Sequence, residues 1–277
     1  MRIKIAAIGS SATLGFQIEP SESWPAQLEK ICNKQFDDVE VQNRATHGLA
    51  LQAYAERIVY LENEINPDLY LLQIPVPGRL YLGINGKGKL KEEEYSKDVL
   101  FGWSRKNAQI SPTRLLLTSG EILNENSPFH KFLKSYYFPT VKRNNSKVSY
   151  KLLIQFIKFW HENIRFSDLD YIYYGKEIYL VQQLLAKFHK PYFMFRWDGP
   201  AMSFYAEKFA PFYSLIDFDR FILQGKFSVL ELLKKHYPDS YESFLIDEYG
   251  HLNQKGNQVV AEDFVFPSVI SLLQKSG

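Results

Sequence analysis

Residues 3–15 read IKIAAIGSSATLG. The first six are apolar apart from one lysine, a run short enough for a buried strand and too short for a helix. Two glycines, two serines and a threonine follow at once, small residues that permit a tight turn out of a strand and into a helix. One reading of this stretch is a turn chosen for room. The other is that one of its serines is a nucleophile held at a strand end.

The alternation that begins there continues. "SESWPAQLEKICNKQF" (21–36) has a serine cap, a proline near the helix start, and Leu28, Ile31 and Cys32 at helical spacing. "DVEVQN" (38–43) alternates as a strand does. "LALQAYAERIVYLENEI" (49–65) puts Leu51, Tyr54, Ile58 and Leu61 on one helical face, and "PDLYLLQI" (67–74) is a third strand. Further helices are expected over 150–164, 175–189, around Ala206 and over 227–237, with strands over 191–197 and 219–223. Strand and helix in turn imply a parallel sheet of about five strands with helices on both faces, a flavodoxin-like three-layer α/β sandwich. Residues 77 to 149 break the pattern. They contain "GINGKGKLKEEEYSKD" and no sustained period, and read as an inserted lid or cap within one domain spanning 1–277.

Composition narrows the classes of function. With 33 basic and 31 acidic residues the formal charge is +2, which offers no field to recruit nucleic acid or an anionic membrane. A single cysteine excludes an internal disulfide and any Cys/His zinc pattern, and fits a reducing, cytoplasmic setting. No apolar run reaches the length of about 18 residues that a membrane span needs. "GKGKLK" lacks the spacing of a phosphate-binding loop, and the first turn lacks the dinucleotide pattern.

Ligand sites of open parallel sheets lie at the C-terminal ends of the strands, where loops and helix starts converge. "GSSATLG", "NRATHG" and "QIPVPGR" end there, and "DEYGHLNQKGNQVVAEDF" brings acids and a histidine ahead of the last helix. These segments carry a resemblance. "IGSSATLGFQIEPSESWPAQLEK" resembles the first block of the SGNH (GDSL-type) hydrolase family, G-D-S-x-T-x-G followed by a helix opened by Pro and Leu. "NRATHG" is similar to the second block, N-x-x-x-x-G, and "DEYGHLNQKGNQVVAE" to the last, an acid shortly before a histidine. The blocks occur in the family's order and cover about the first 75 and last 35 residues.

The resemblance implies a serine ester hydrolase or O-acyl transferase with no metal or cofactor. It places the nucleophile at Ser11, the oxyanion hole at the Ser11 and Gly48 N–H groups, and the general base at His251. A serine hydroxyl needs an imidazole to accept its proton, and that imidazole needs an acid on its other nitrogen. The spacing puts Glu248 ahead of Asp247 as that acid, while side-chain length favours Asp247. The expected substrate is a small-molecule or carbohydrate ester, with O-acetylated carbohydrate first.

Three departures stand out. The family's Asp before the nucleophile, which orders the loop, is Ser10 here. The third block reads "PVPG", so Pro77 overlies the Asn that donates to the oxyanion; Arg79, Asn43 or a residue of the insertion is the candidate to replace it, with Arg79 and Asn43 also candidates to touch substrate. The acid has two candidate positions. A non-catalytic, glycan-binding or structural protein on the same scaffold is the alternative these departures leave open. Asn253 is expected to cap or brace its turn, and Trp197 and Asp198 to line a pocket or form a turn.

Overall fold

β1 (Ile3–Ile8) is buried over its last four residues, as a central strand covered on both faces must be. Its serine-rich continuation forms α1 (Ser11–Leu14), a single helical turn closed by Gly15 in the left-handed region at φ 82°. The computed structural model describes residues 2–36, 38–46, 49–77, 80–83, 114–117, 150–164, 167–206, 208, 210–247 and 250–276. It divides into two compact units, one of Met1–Val76 with Ile172–Gly277 and one of Pro77–Tyr171.

In the first unit, α2 (Trp24–Cys32), β2 (Val39–Asn43), α3 (Tyr54–Glu64) and β3 (Leu69–Ile74) follow in the order expected. In the second, β4 (Leu80–Gly83) and β5 (Arg114–Leu117) pair antiparallel, and α4 (Tyr150–Asn163) follows. Most of the segment expected to be an insertion, 77–149, lies outside the described residues. α5 (Asp168–Lys187) leads into β6 (Tyr192–Arg196), α6 (Val229–His236) and α7 (Gln254–Val259). α7 runs through a π-helical segment, Val260–Val265, into α8 (Phe266–Ser276).

The main sheet has the order β2-β1-β3-β6, all parallel. Because side chains alternate along a strand, Ile5, Ala7, Leu69, Leu71 and Phe195 share one face. They join a core with Trp24, Leu28 and Cys32 of α2 and Val260, Val265 and Val269 of the C-terminal helices. Burial pushes the Cys32 thiol up to about 12, so it is a core side chain and no nucleophile. On the opposite face, Tyr70 of β3 donates to Glu62 Oε1 of α3 (2.7 Å), and Tyr54 of α3 donates to the Gln73 carbonyl. Gln182 of α5 reaches the Met194 sulfur there at 3.8 Å. Helices therefore cover both faces, which is the sandwich expected.

Two local expectations change. The segment 219–223 is not a strand: Phe221 makes one parallel bridge to Met194, and Leu223 and Gln224 sit at φ 54°, a conformation that ends a ladder. Around Ala206 the expected helix is two short pieces, a 3₁₀ turn over Met202–Tyr205 and a single α-helical turn over Ala210–Tyr213.

The serine cap of α2 is also differently used. Ser23 occupies the cap position, but its hydroxyl donates to the Pro20 carbonyl at 2.8 Å. The first N–H of α2, on Trp24, donates instead to Oδ1 of Asn257, 233 residues away.

Candidate active site

The chain leaves β1 to one side, forms β2, and returns to the other side of β1 as β3. In open parallel sheets ligands bind at such a reversal, outside the C-terminal ends of the strands, which here is where α1 begins. Beyond the strands the pairing continues, with Arg44 N–H donating to Ala7 O at 2.8 Å and Thr46 N–H to Gly9 O at 3.0 Å. Arg57 of α3 donates to the Thr46 hydroxyl at 3.0 Å. The segments after β1 and β2 are thus tied side by side at the rim.

Ser11, the first residue of α1, is 8% exposed, and its Oγ lies 2.8 Å from His251 Nε2. On the other side of the ring, His251 Nδ1 lies 2.6 Å from Asp247 Oδ2, and the His251 N–H meets Asp247 Oδ1 at 3.2 Å. A carboxylate only accepts, so Nδ1 carries the proton and Nε2 is left to accept from the serine. Phe16 packs on the imidazole with ring centroids 4.7 Å apart. Hydroxyl, imidazole and carboxylate form one unbroken chain, joining residues 240 positions apart.

The loop that carries the acid and the histidine is built to hold them. Leu245 and Leu252 form an antiparallel bridge, and Ile246 N–H donates to the His251 carbonyl at 2.8 Å. His251 lies four positions after Asp247, and the chain enters it through Gly250 at φ 79°. A Cβ on Gly250 would lie 2.4 Å from Leu230 Cδ1. The Gly250 carbonyl accepts from the indole N–H of Trp197, just past β6, at 2.9 Å. Gly250→Ala therefore meets both a conformational and a steric barrier. It is expected to lower the unfolding free energy by about 2 kcal/mol, read as a shift in the urea midpoint at unchanged slope.

Below this loop Asn253 caps α7, its Oδ1 accepting from Gly256 N–H at 3.1 Å and its Nδ2 donating to Ser243 O at 2.7 Å. Asn257, 1% exposed, donates to the Leu252 and Asn253 carbonyls at 2.8 and 3.0 Å while accepting from Trp24. One buried amide thereby joins the start of α2 to the loop that holds His251.

The other sequence candidates divide. Asn43 donates to the Thr13 carbonyl at 2.8 Å and accepts from Ala45 N–H at 3.2 Å, so its amide braces the C-terminal end of the Ser11 turn. Asp198 accepts from Gly199 N–H at 2.6 Å and forms a turn. Pro77 is buried past the end of β3. Gly48, Arg79 and Glu248 lie outside the described residues. Among the described residues no cluster of three or more His, Cys, Asp or Glu side chains is arranged to hold a metal, and no helix is long and apolar enough to cross a membrane.

Sequence reasoning passed over Gln73, Asn257 and the part played by Trp197. Gln73 had a signal: an amide inside the otherwise apolar "LYLLQI" has to find partners if that strand is buried. The Trp197 contact had none, because nothing local ties an indole to a carbonyl 53 residues on.

No protein-family model matches the chain, and no curated protein matches it. Among solved structures it is similar to TesA, at 12% identity over 97% of this chain and 99% of that one, with a TM-score of 0.49. It is similar to the psychrotrophic esterase EstA from Pseudoalteromonas sp., inhibited by monoethylphosphonate, at 10% identity over 98% of each chain, with a TM-score of 0.48. A third is the acetyl xylan esterase AlAXEase, 15% identical over 94% of this chain and 96% of that one, with a TM-score of 0.45. Esterases are thus among the solved structures this chain is similar to.

Proposed function

We propose that this chain is a serine ester hydrolase of the SGNH type that works through a covalent acyl-enzyme. The observation that carries the reading is the relay from Ser11 Oγ to His251 Nε2 (2.8 Å) and from His251 Nδ1 to Asp247 Oδ2 (2.6 Å). The ordered sequence blocks support it independently. In this reading Ser11 Oγ attacks the acyl carbon as His251 Nε2 takes its proton. His251 then returns that proton to the departing alkoxide, leaving the acyl group on Ser11. Water repeats the sequence in reverse, losing a proton to His251 and releasing the acid while Ser11 regains its hydrogen. Asp247 holds the ring in the required tautomer and stabilises the imidazolium between the two proton transfers.

The Ser11 N–H is the first oxyanion donor of this proposal and the Gly48 N–H, implied by the resemblance, the second. Each such donor contributes roughly 3 to 4 kcal/mol in favourable cases. O-acetylated carbohydrate is the proposed substrate class, supported by the family resemblance and by the Tyr and Phe residues of segment 77–149, whose faces suit sugar rings. With a sugar hydroxyl in place of water, the same acyl-enzyme would perform O-acyl transfer.

A fluorophosphonate tests the nucleophile directly. The expected result is one phosphonyl group per chain, mapped by mass spectrometry to Ser11 and absent after heat denaturation. A chain that stays unlabelled, or is labelled at another serine, rules the mechanism out.

A further inference from the structure

We propose that Gln73 is the positioning residue of the Ser11 turn, an inference that rests on the ester-hydrolase reading above. All six residues of β3 are buried, and Gln73 is 1% exposed. A buried amide has to be paired, and this one is paired with the nucleophile's own turn. Its Oε1 accepts from the Ser10 N–H at 2.9 Å and from the Thr13 hydroxyl at 2.8 Å, which uses both lone pairs. Its Nε2 faces Ser10 Oγ at 3.2 Å.

The Ser10 carbonyl in turn accepts from Thr13 N–H at 3.1 Å and Leu14 N–H at 2.9 Å. In a trans peptide the carbonyl and the next N–H point in opposite directions. With Ser10 fixed at its N–H, hydroxyl and carbonyl, the Ser11 N–H is held facing away from its own helix, the direction an oxyanion donor needs. Gly9 makes room for this: a Cβ there would lie 2.1 Å from Thr13 Oγ1 and 2.6 Å from Gln73 Oε1. The loop ordering that the resemblance assigns to an acid at position 10 is supplied here from β3, by a neutral amide.

The test compares Gln73→Leu with Gln73→Glu in the full chain. Melting temperature, kcat and KM on p-nitrophenyl acetate and hydrogen exchange at the Ser10 amide are read together. Gln73→Leu is expected to lower kcat about 100-fold with KM within about threefold, because the lost alignment matters most in the transition state. Gln73→Glu keeps an oxygen acceptor in the same place and should recover kcat to within about tenfold of wild type. Exchange at Ser10 should accelerate in the leucine variant only. A folded Gln73→Leu protein with wild-type kcat overturns the inference, as does a Gln73→Glu protein as impaired as the leucine variant. If Gln73→Leu does not fold, Thr13→Val replaces it: a severalfold loss in kcat at constant KM supports the role, and an unchanged kcat overturns it. If the wild type hydrolyses no ester, the ester-hydrolase reading falls by itself. Ser10 exchange then decides about Gln73, and equal rates in wild type and variant overturn the inference.

Discussion

Ser11→Ala is expected to lower kcat/KM on p-nitrophenyl acetate by about 10⁴-fold or more while leaving the fold intact. The hydroxyl is the atom that bonds to the acyl carbon in the proposed mechanism, and its only described partner is His251 Nε2 at 2.8 Å. Removing it abolishes the covalent route and leaves only the binding of the transition state by backbone donors. The substitution is mild for stability because alanine is the better helix former at the start of α1. Equal rates for wild type and Ser11→Ala, in a protein with an unchanged melting temperature, would falsify the enzymatic reading and restore the plain turn as the meaning of these serines.

Asp247→Asn is expected to reduce kcat about 10⁴-fold, against a change within about threefold for Glu248→Gln. The distinction follows from the 2.6 Å contact between Asp247 Oδ2 and His251 Nδ1. An amide at that position no longer compels Nδ1 to hold the proton. With its NH₂ turned to the ring it favours the opposite tautomer, whose Nε2–H has no capacity to accept from Ser11. It also withdraws the negative charge that stabilises the imidazolium. Stopped-flow measurement of the acyl-enzyme burst separates the two variants, since the tautomer is required at the first chemical step. A full burst in Asp247→Asn and none in Glu248→Gln would transfer the role to Glu248.

The choice between those two acids shows how far local spacing reaches. Spacing alone put Glu248 first, three residues before the histidine. The carboxylate in contact is one residue earlier, because the loop takes an additional residue and turns at Gly250, where φ is 79°. The Gly250 carbonyl accepts from the Trp197 indole, which comes from just past the end of β6. No reading of "DEYGH" by itself contains that tryptophan. Asn43 is a similar case. Its place at the end of β2 made it a candidate for substrate, yet its amide is engaged by Thr13 and Ala45, and this becomes evident only when α1 is packed beside β2.

The sheet was readable for a different reason. Strands of a parallel sheet are buried on both faces, so β1 and β3 stand out as short apolar runs between amphipathic helices. The fifth strand failed the same test in three dimensions: "DRFIL" is apolar enough, but two left-handed residues at 223 and 224 stop its pairing after one bridge.

By itself, then, the amino-acid order of this chain determined the alternation of elements, the parallel sandwich, and the candidate serine and histidine. The first two depend on periodicity and on residue type within a few neighbours, and the serine and histidine on the resemblance of their short motifs to a known family. The tertiary structure alone decided which carboxylate meets His251, what holds the Ser11 turn, and which amides brace the site. Those outcomes rest on contacts between residues 10 and 73, 24 and 257, and 197 and 250. They arise because buried hydrogen-bonding groups must be satisfied by whatever group the packing brings within about 3 Å, however distant it is along the chain.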